Sequence, residues 1–292
     1  MKRCLVLGEN AVDVKIQLSK ELHLQDDFNY IPEKAKIDIG GTGVNFCLAF
    51  RKLGGMPVYF SPFSTDPFGT SVRILLQNSQ VNFFETLSDK PTPVIVSILY
   101  EKDLYGQNRT TIAHIKNTSY TDISFETFKN ANLHFDFVYV SGGLLTEDAP
   151  QREVLKIVEQ ARTQAEFVFF DPQVRIGKDI PGFLESCANF FKYADFIFAN
   201  EKELTEFDKK LTDDFIERGG TIVLKRGKNG AKVFNKDYEY EDPGIKVKGV
   251  NIVGAGDTFN AAFIKFYTDT YDIKESLQFA NSFAAKYVNN EV

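Results

Sequence analysis

Gly254-Ala255-Gly256-Asp257 holds the residue types of a phosphate cradle with a base beside it. Two glycines and an alanine let the backbone approach a ligand closely. An apolar helical face begins at Phe259, so the turn opens a helix. The first turn of a helix has N–H groups without intrahelical acceptors, and its dipole favours negative charge. Phosphate suits such a place. Asp257 would stand next to the bound anion, kept ionised by the helix end, and could take a proton from an attacking hydroxyl. The same four residues also suit an N-cap aspartate after a tight turn.

Other segments carry weaker versions of the same chemistry. Gly40-Gly41-Thr42-Gly43-Val44-Asn45 is a tight turn that could present N–H groups and the Asn45 amide to a polyhydroxylated ligand. It is not a dinucleotide fingerprint, because Phe46 stands where the third glycine belongs, and no Gly-Lys-Ser/Thr follows to make a P-loop. Asn200-Glu201-Lys202-Glu203 reads as a capping box, or as a place where Glu203 acts on Mg²⁺ through water. Lys225-Arg226-Gly227-Lys228-Asn229-Gly230 reads as a hairpin turn, or as a loop that sets Lys225 on a nucleotide phosphate. Asp66-Pro67-Phe68-Gly69 and Asp171-Pro172-Gln173-Val174-Arg175 are turn-like. His23, His114 and His134 have no ligand-type spacing, and there is no nucleophile elbow.

The elements around these motifs alternate between strand and helix. Short apolar runs at 4–7, 58–60, 137–140, 167–170, 196–198 and 222–224 read as buried strands. Val154, Ile157, Val158 and Ala161 show the spacing of a buried helical face, and helices are expected over 45–53 and 69–76. This order predicts an α/β fold, a mostly parallel sheet with helices on both faces. The half-polar β segments over 12–39 and 92–116 do not fit such a sheet; they predict a small separate sheet acting as a lid. With no repeat or Pro/Ser-rich linker, residues 1–292 read as one domain.

Composition narrows the partners. There are 34 Lys and Arg against 40 Asp and Glu among 292 residues, a net charge of −6, which offers no general attraction to nucleic acid or an anionic membrane. Cys4, Cys47 and Cys187 are too far apart for a CxxC zinc site and odd in number, against a disulfide framework. No stretch reaches the ~18 apolar residues of a membrane span. A cytoplasmic protein is expected.

In their order along the chain these fragments resemble the ribokinase-like (PfkB) carbohydrate kinase family. The likeness runs from Gly8-Glu9-Asn10-Ala11-Val12-Asp13 through Gly40–Asn45, Asp66–Gly69, Asp171–Arg175, Asn200–Glu203 and Gly227–Gly230 to Gly254–Asp257. The resemblance implies an α/β/α sandwich with a β lid and transfer of phosphate from ATP to a primary hydroxyl of a sugar. Asp257 would be the base, and the N–H groups of Gly254, Ala255 and Gly256 the anion hole. It implies that Asp13, Gly41 and Asn45, with Asn10 a weaker candidate, grip the sugar, and that Arg109 and Arg175 add positive contacts. Asn200, Lys225, Gly227, Gly230 and Asn281 would serve ATP, and Glu203 would serve Mg²⁺. A homodimer through the lid would follow the family. Asp-Pro-x-x-Arg and Gly-Glu-Asn are similar to fructokinase-like members, which favours a ketohexose such as fructose over 2-keto-3-deoxygluconate or a nucleoside. Where many members have an Asp three residues before the glycine turn, at a K⁺ site, this chain has Asn251, and that weakens the case for K⁺. The altered segment also keeps a non-catalytic sugar binder in view, although such a binder has no need of Asp257.

Overall fold

The computed structural model describes residues 2–18, 34–100, 109–247 and 253–292; within these, nothing is stated of the side chains of residues 34, 99, 100, 109 and 175. The first half of the chain runs β1 (Arg3–Leu7), β2 (Ala11–Leu18), β3 (Lys34–Gly40), α1 (Thr42–Lys52), β4 (Met56–Tyr59) and β5 (Phe63–Ser64). It continues through α2 (Pro67–Asn78), β6 (Asn82–Phe83), β7 (Leu87–Ser88), β8 (Val94–Tyr100), β9 (Arg109–His114) and α3 (Phe125–Ala131). The second half is a regular alternation: β10 (Phe137–Ser141), α4 (Asp148–Arg162), β11 (Phe167–Asp171), α5 (Val174–Gly177), α6 (Phe183–Phe191) and β12 (Phe196–Asn200). Then follow α7 (Glu201–Leu204), α8 (Lys209–Glu217), β13 (Thr221–Lys225), β14 (Ala231–Phe234), β15 (Glu239–Asp242), α9 (Ala255–Thr270) and α10 (Ile273–Val288).

Nine strands form one sheet in the order β15-β14-β13-β12-β11-β10-β1-β4-β6. All pairings are parallel except those of β14 with β13 and with β15. The strand runs are apolar at nearly every position because both faces are covered. One face packs on α1 and α9 through Phe46, Phe50, Phe259 and Phe263, and the other on α4 and α6 through Val154, Ile157, Phe183 and Phe190. Tyr139 stacks on Phe46 at 3.9 Å between ring centroids. Much of the unusual phenylalanine content is therefore core filling.

The half-polar segments make a second sheet, β3-β2-β8-β9. Alternation along its strands gives two unlike faces. Ile37, Val14, Val96 and Ile112 are paired across all four strands, forming an apolar row. The row on one side of it, Asp38, Asp13, Ile95 and Ala113, carries the acids, and Lys15 and Lys36 stand in the row on the other side. Lys15 and Lys36 both pair with Asp38, at 3.2 and 2.8 Å. Among the described residues no helix is long and apolar enough to cross a membrane.

Helix starts differ from expectation where glycine leads. α1 begins at Thr42, not Asn45, and α2 at Pro67, not Gly69. Gly41 is the N-cap of α1, and its φ of +91° is one that side-chain-bearing residues rarely adopt. A methyl group there would lie 2.5 Å from the Glu9 carbonyl oxygen. Asp66 caps α2 through the Gly69 N–H at 2.7 Å and also accepts from the Thr92 backbone, tying α2 to the approach to β8.

Candidate active site

Parallel strands end on one side of their sheet, and there the polar residues gather. Ser141 ends β10, Asp171 ends β11, Asn200 ends β12 and Lys225 ends β13, while Glu9 follows β1. Ser141 is in register with Asp171, and Asn200 with Lys225. Glu9 is buried, accepts the Thr42 N–H at 3.1 Å and the Ser141 hydroxyl at 3.0 Å, and so fixes the start of α1.

The glycine turn starts α9 over this rim. Gly254 is its N-cap in the left-handed region, with φ +83°, and Thr258 N–H closes the first helical bond onto the Gly254 carbonyl at 2.9 Å. The helix itself supplies no acceptors for the N–H groups of Ala255, Gly256 and Asp257. Tyr287, on α10, donates its hydroxyl to the Val253 carbonyl at 2.9 Å and braces the turn from behind.

Asp257 is buried in the first turn of α9, and the Asn45 amide donates to its Oδ2 at 3.0 Å. Burial pushes its carboxyl up to about 8; the negative charges of Asp171 and Glu9 push the same way, against the Asn45 hydrogen bond and the Lys225 charge. The expectation that the helix end keeps Asp257 ionised is therefore not met by the site as it stands. Desolvation and two neighbouring acids favour the neutral carboxyl in the site as it stands.

Asn45 is also the link to the lid. Its Oδ1 lies 3.6 Å from where a Gly40 methyl would be, and Asp13 Oδ2 lies 2.2 Å from that same point. Asp13 and Asn45 share a cleft of about 660 Å³ with Lys15, Gln17, Asp38 and Tyr287. The lid's polar face therefore covers the approach to Asp257.

Lys225 Nζ bonds Asp171 Oδ2 at 2.8 Å and lies 3.9 Å from where a Gly256 methyl would be, against the start of α9. Asn200 and Glu203 form a complete capping box: Glu203 N–H donates to Asn200 Oδ1 at 2.9 Å, and Asn200 N–H to Glu203 Oε2 at 3.0 Å. Asn281, on α10, donates to Asp242 at 2.6 Å and fastens α10 to the end of β15. Gly227, φ +57°, is exposed on the β13–β14 turn, and Gly230 is packed against the carbonyl of Asp242. Asn10 is fully buried and donates to Tyr59 and to the Pro62 carbonyl, away from the cleft. Arg109 begins β9 opposite Leu99, and Arg175 is in α5; both side chains, like all of Asn251 and Ile252, lie outside what is described. Glu9, Asn260 and Tyr287 were not singled out as site residues from sequence. Only Asn260, one turn beyond Asp257 on the same helix, had a spacing that could have disclosed it.

Among the described residues no three His, Cys, Asp or Glu side chains are grouped so as to hold a metal. The cradle fits a nucleotide phosphate instead, with unpartnered N–H groups, a glycine surface and a lysine ammonium facing one spot.

Comparison with known proteins agrees with this geometry. The family described as pfkB family carbohydrate kinase matches residues 1–291. The chain is 24% identical to fructokinase-2 of Oryza sativa subsp. japonica, over 84% of this chain and 78% of that protein. It is also 24% identical to a nucleoside kinase of Methanocaldococcus jannaschii, over 94% of this chain and 86% of that protein. In fold it is similar to a ribokinase II-like protein of E. coli solved with ATP and Mg²⁺, with a TM-score of 0.84 at 21% identity, covering 99% of this chain and 93% of that one. The chain belongs to the pfkB family of carbohydrate kinases, enzymes that use ATP and Mg²⁺.

Proposed function

We propose that this kinase transfers the γ-phosphate of ATP to a primary hydroxyl of a small sugar, a ketohexose such as fructose. The observation that carries the reading is Asn45, which joins the Asp257 carboxyl to the Asp13 side of the covered cleft. A sugar gripped there by Asp13, the Gly41 turn and Asn45 places one hydroxyl at Asp257. Asp257 takes its proton, and the freed oxygen attacks phosphorus held at the N–H groups of Gly254, Ala255 and Gly256. Lys225 stabilises the transferring group. Glu203 would reach Mg²⁺ through water, and the metal would offset phosphate charge when bound. Asn200, Gly227, Gly230 and Asn281 flank the nucleotide. The scarcity of aromatic rings favours a polyol over a nucleoside: the cleft offers carboxylates, ammonium groups and an amide beside Ile37, Ile39, Leu48, Leu75 and Val253, and Tyr287 is its only aromatic among the described residues.

A coupled ATP-consumption assay over sugars and nucleosides tests this. Fructose is expected to give the highest kcat/KM, and Asp13→Ala to raise the sugar KM by roughly 10–100-fold, the cost of one or two charged hydrogen bonds, with the ATP KM unchanged. A nucleoside or 2-keto-3-deoxygluconate outrunning fructose removes the ketohexose assignment. Sugar binding without ADP release for any candidate removes the kinase reading.

The second copy of a homodimer would sit on the lid's outer face. Ile37 is 63% exposed and Ile112 59% exposed, in one uncharged row of the lid, Ile37 also lining the cleft. An apolar row of this kind is self-complementary, so the like row of another chain covers it. Ile37→Glu with Ile112→Glu should give monomers by analytical ultracentrifugation where the unaltered protein gives dimers. A mass unchanged by the pair of charges counts against lid pairing.

A further inference from the structure

We propose that Asp171 is a positioning residue for phosphoryl transfer, holding the Lys225 ammonium against the first turn of α9. The proposal rests on the kinase reading given above.

Asp171 is 1% exposed at the end of β11, and nearly all its capacity as an acceptor is used. Its Oδ2 takes Lys225 Nζ at 2.8 Å and Asn260 Nδ2 at 2.5 Å, and its Oδ1 takes the Gln173 N–H at 3.3 Å. Three elements thus meet on one carboxylate: β13 through Lys225, α9 through Asn260 and the turn after β11. Asn260 also donates to the Tyr139 hydroxyl at 3.3 Å, which fixes its rotamer from β10. Lys225 comes from two strands away, and with a flexible four-carbon stem it needs a partner to stay beside Gly256. Burial works against its charge, yet Asp171, Glu203 and Asp257 together hold the ammonium above its ordinary value. A charged, immobilised ammonium at the start of α9 lies where negative charge grows on the transferring phosphoryl group. Asp171 itself reaches neither sugar nor phosphate; it acts through Lys225.

The test compares Asp171→Asn, Lys225→Met and the double variant. Each single change is expected to lower kcat by roughly 10²-fold, the scale of one lost transition-state donor, with the KM values of sugar and MgATP within about threefold. The double variant should match Lys225→Met within about threefold, because Asp171 has nothing left to hold. Losses that multiply in the double variant, or an Asp171→Asn enzyme as fast as the unaltered one, overturn the proposal. Asp171→Asn leaves an ammonium buried without its counter-charge and can melt early. The double variant lacks both charges, so its comparison with Lys225→Met decides the matter in that event. Should the unaltered protein phosphorylate nothing, the kinase reading falls, and a crystal structure of Asp171→Asn still decides this proposal: Lys225 Nζ displaced from Gly256 supports it, and Nζ in its present place overturns it.

Discussion

Asp257→Asn should lower kcat by about 10²–10⁴-fold, the range for loss of a positioned base, while the empty protein melts higher than the unaltered one at pH 8. Both halves come from the same buried carboxyl. In the folded protein it titrates at about 8, against 3.8 for an exposed Asp. Folding therefore binds a proton between about pH 4 and about pH 8, and the empty protein loses stability as pH rises through that window. Asparagine fills the same volume, keeps an acceptor for the Asn45 amide and has no charge to desolvate. The two melting temperatures should converge near pH 4 and separate as pH rises. The unaltered enzyme should show kcat/KM for sugar rising toward a plateau above about pH 8. Thermal melts and steady-state rates at several pH values check all of this. Near-native turnover by Asp257→Asn, or a rate profile flat from about pH 6 to 9, would remove Asp257 from its role.

That protonation state marks the limit of what could be read from the sequence. The helix end beside Asp257 is spelled in contiguous residues, Gly254 to Phe259, so the turn and the helix it opens were legible. The lid was legible too, because alternation in Val12-Asp13-Val14-Lys15-Ile16 persists across the sheet, Val14 meeting Ile37 and Val96 in register. The carboxyl's shift is set by its burial and by Glu9, Asn45 and Asp171, which are 248, 212 and 86 positions away and come together only when the strands align. The same holds for Lys225. Its loop looked like a turn or a phosphate contact, and its bond to Asp171 has no local signal. Asn200 to Glu203 shows the converse: a capping box is a four-residue pattern, and it formed as spelled. Tyr287 lies in an amphipathic run, and a tyrosine there gives no hint of the carbonyl its hydroxyl will find.

Gly254→Ala should lower kcat by about 10²–10³-fold, the cost of one misplaced oxyanion donor, and leave sugar affinity nearly unchanged. Gly254 holds φ +83°, ψ −3°, and an L side chain there costs about 1–2 kcal/mol. The added methyl would also lie 2.9 Å from the Tyr287 hydroxyl oxygen and 3.5 Å from Asn45 Nδ2. The first of these distances is too short for carbon and oxygen, so the turn or the tyrosine must yield. If the tyrosine yields, its bond to the Val253 carbonyl goes and the turn loses its brace; if the turn yields, the N–H groups of Ala255 and Gly256 point elsewhere. Either way the anion cradle is spoiled while Asp13 and the Gly41 turn, on β2 and ahead of α1, stay in place. Calorimetric sugar titration and steady-state kinetics separate the two: Kd within about threefold beside a collapsed kcat is the expected pair. Full activity in Gly254→Ala would mean that the first turn of α9 is not where phosphoryl charge is met.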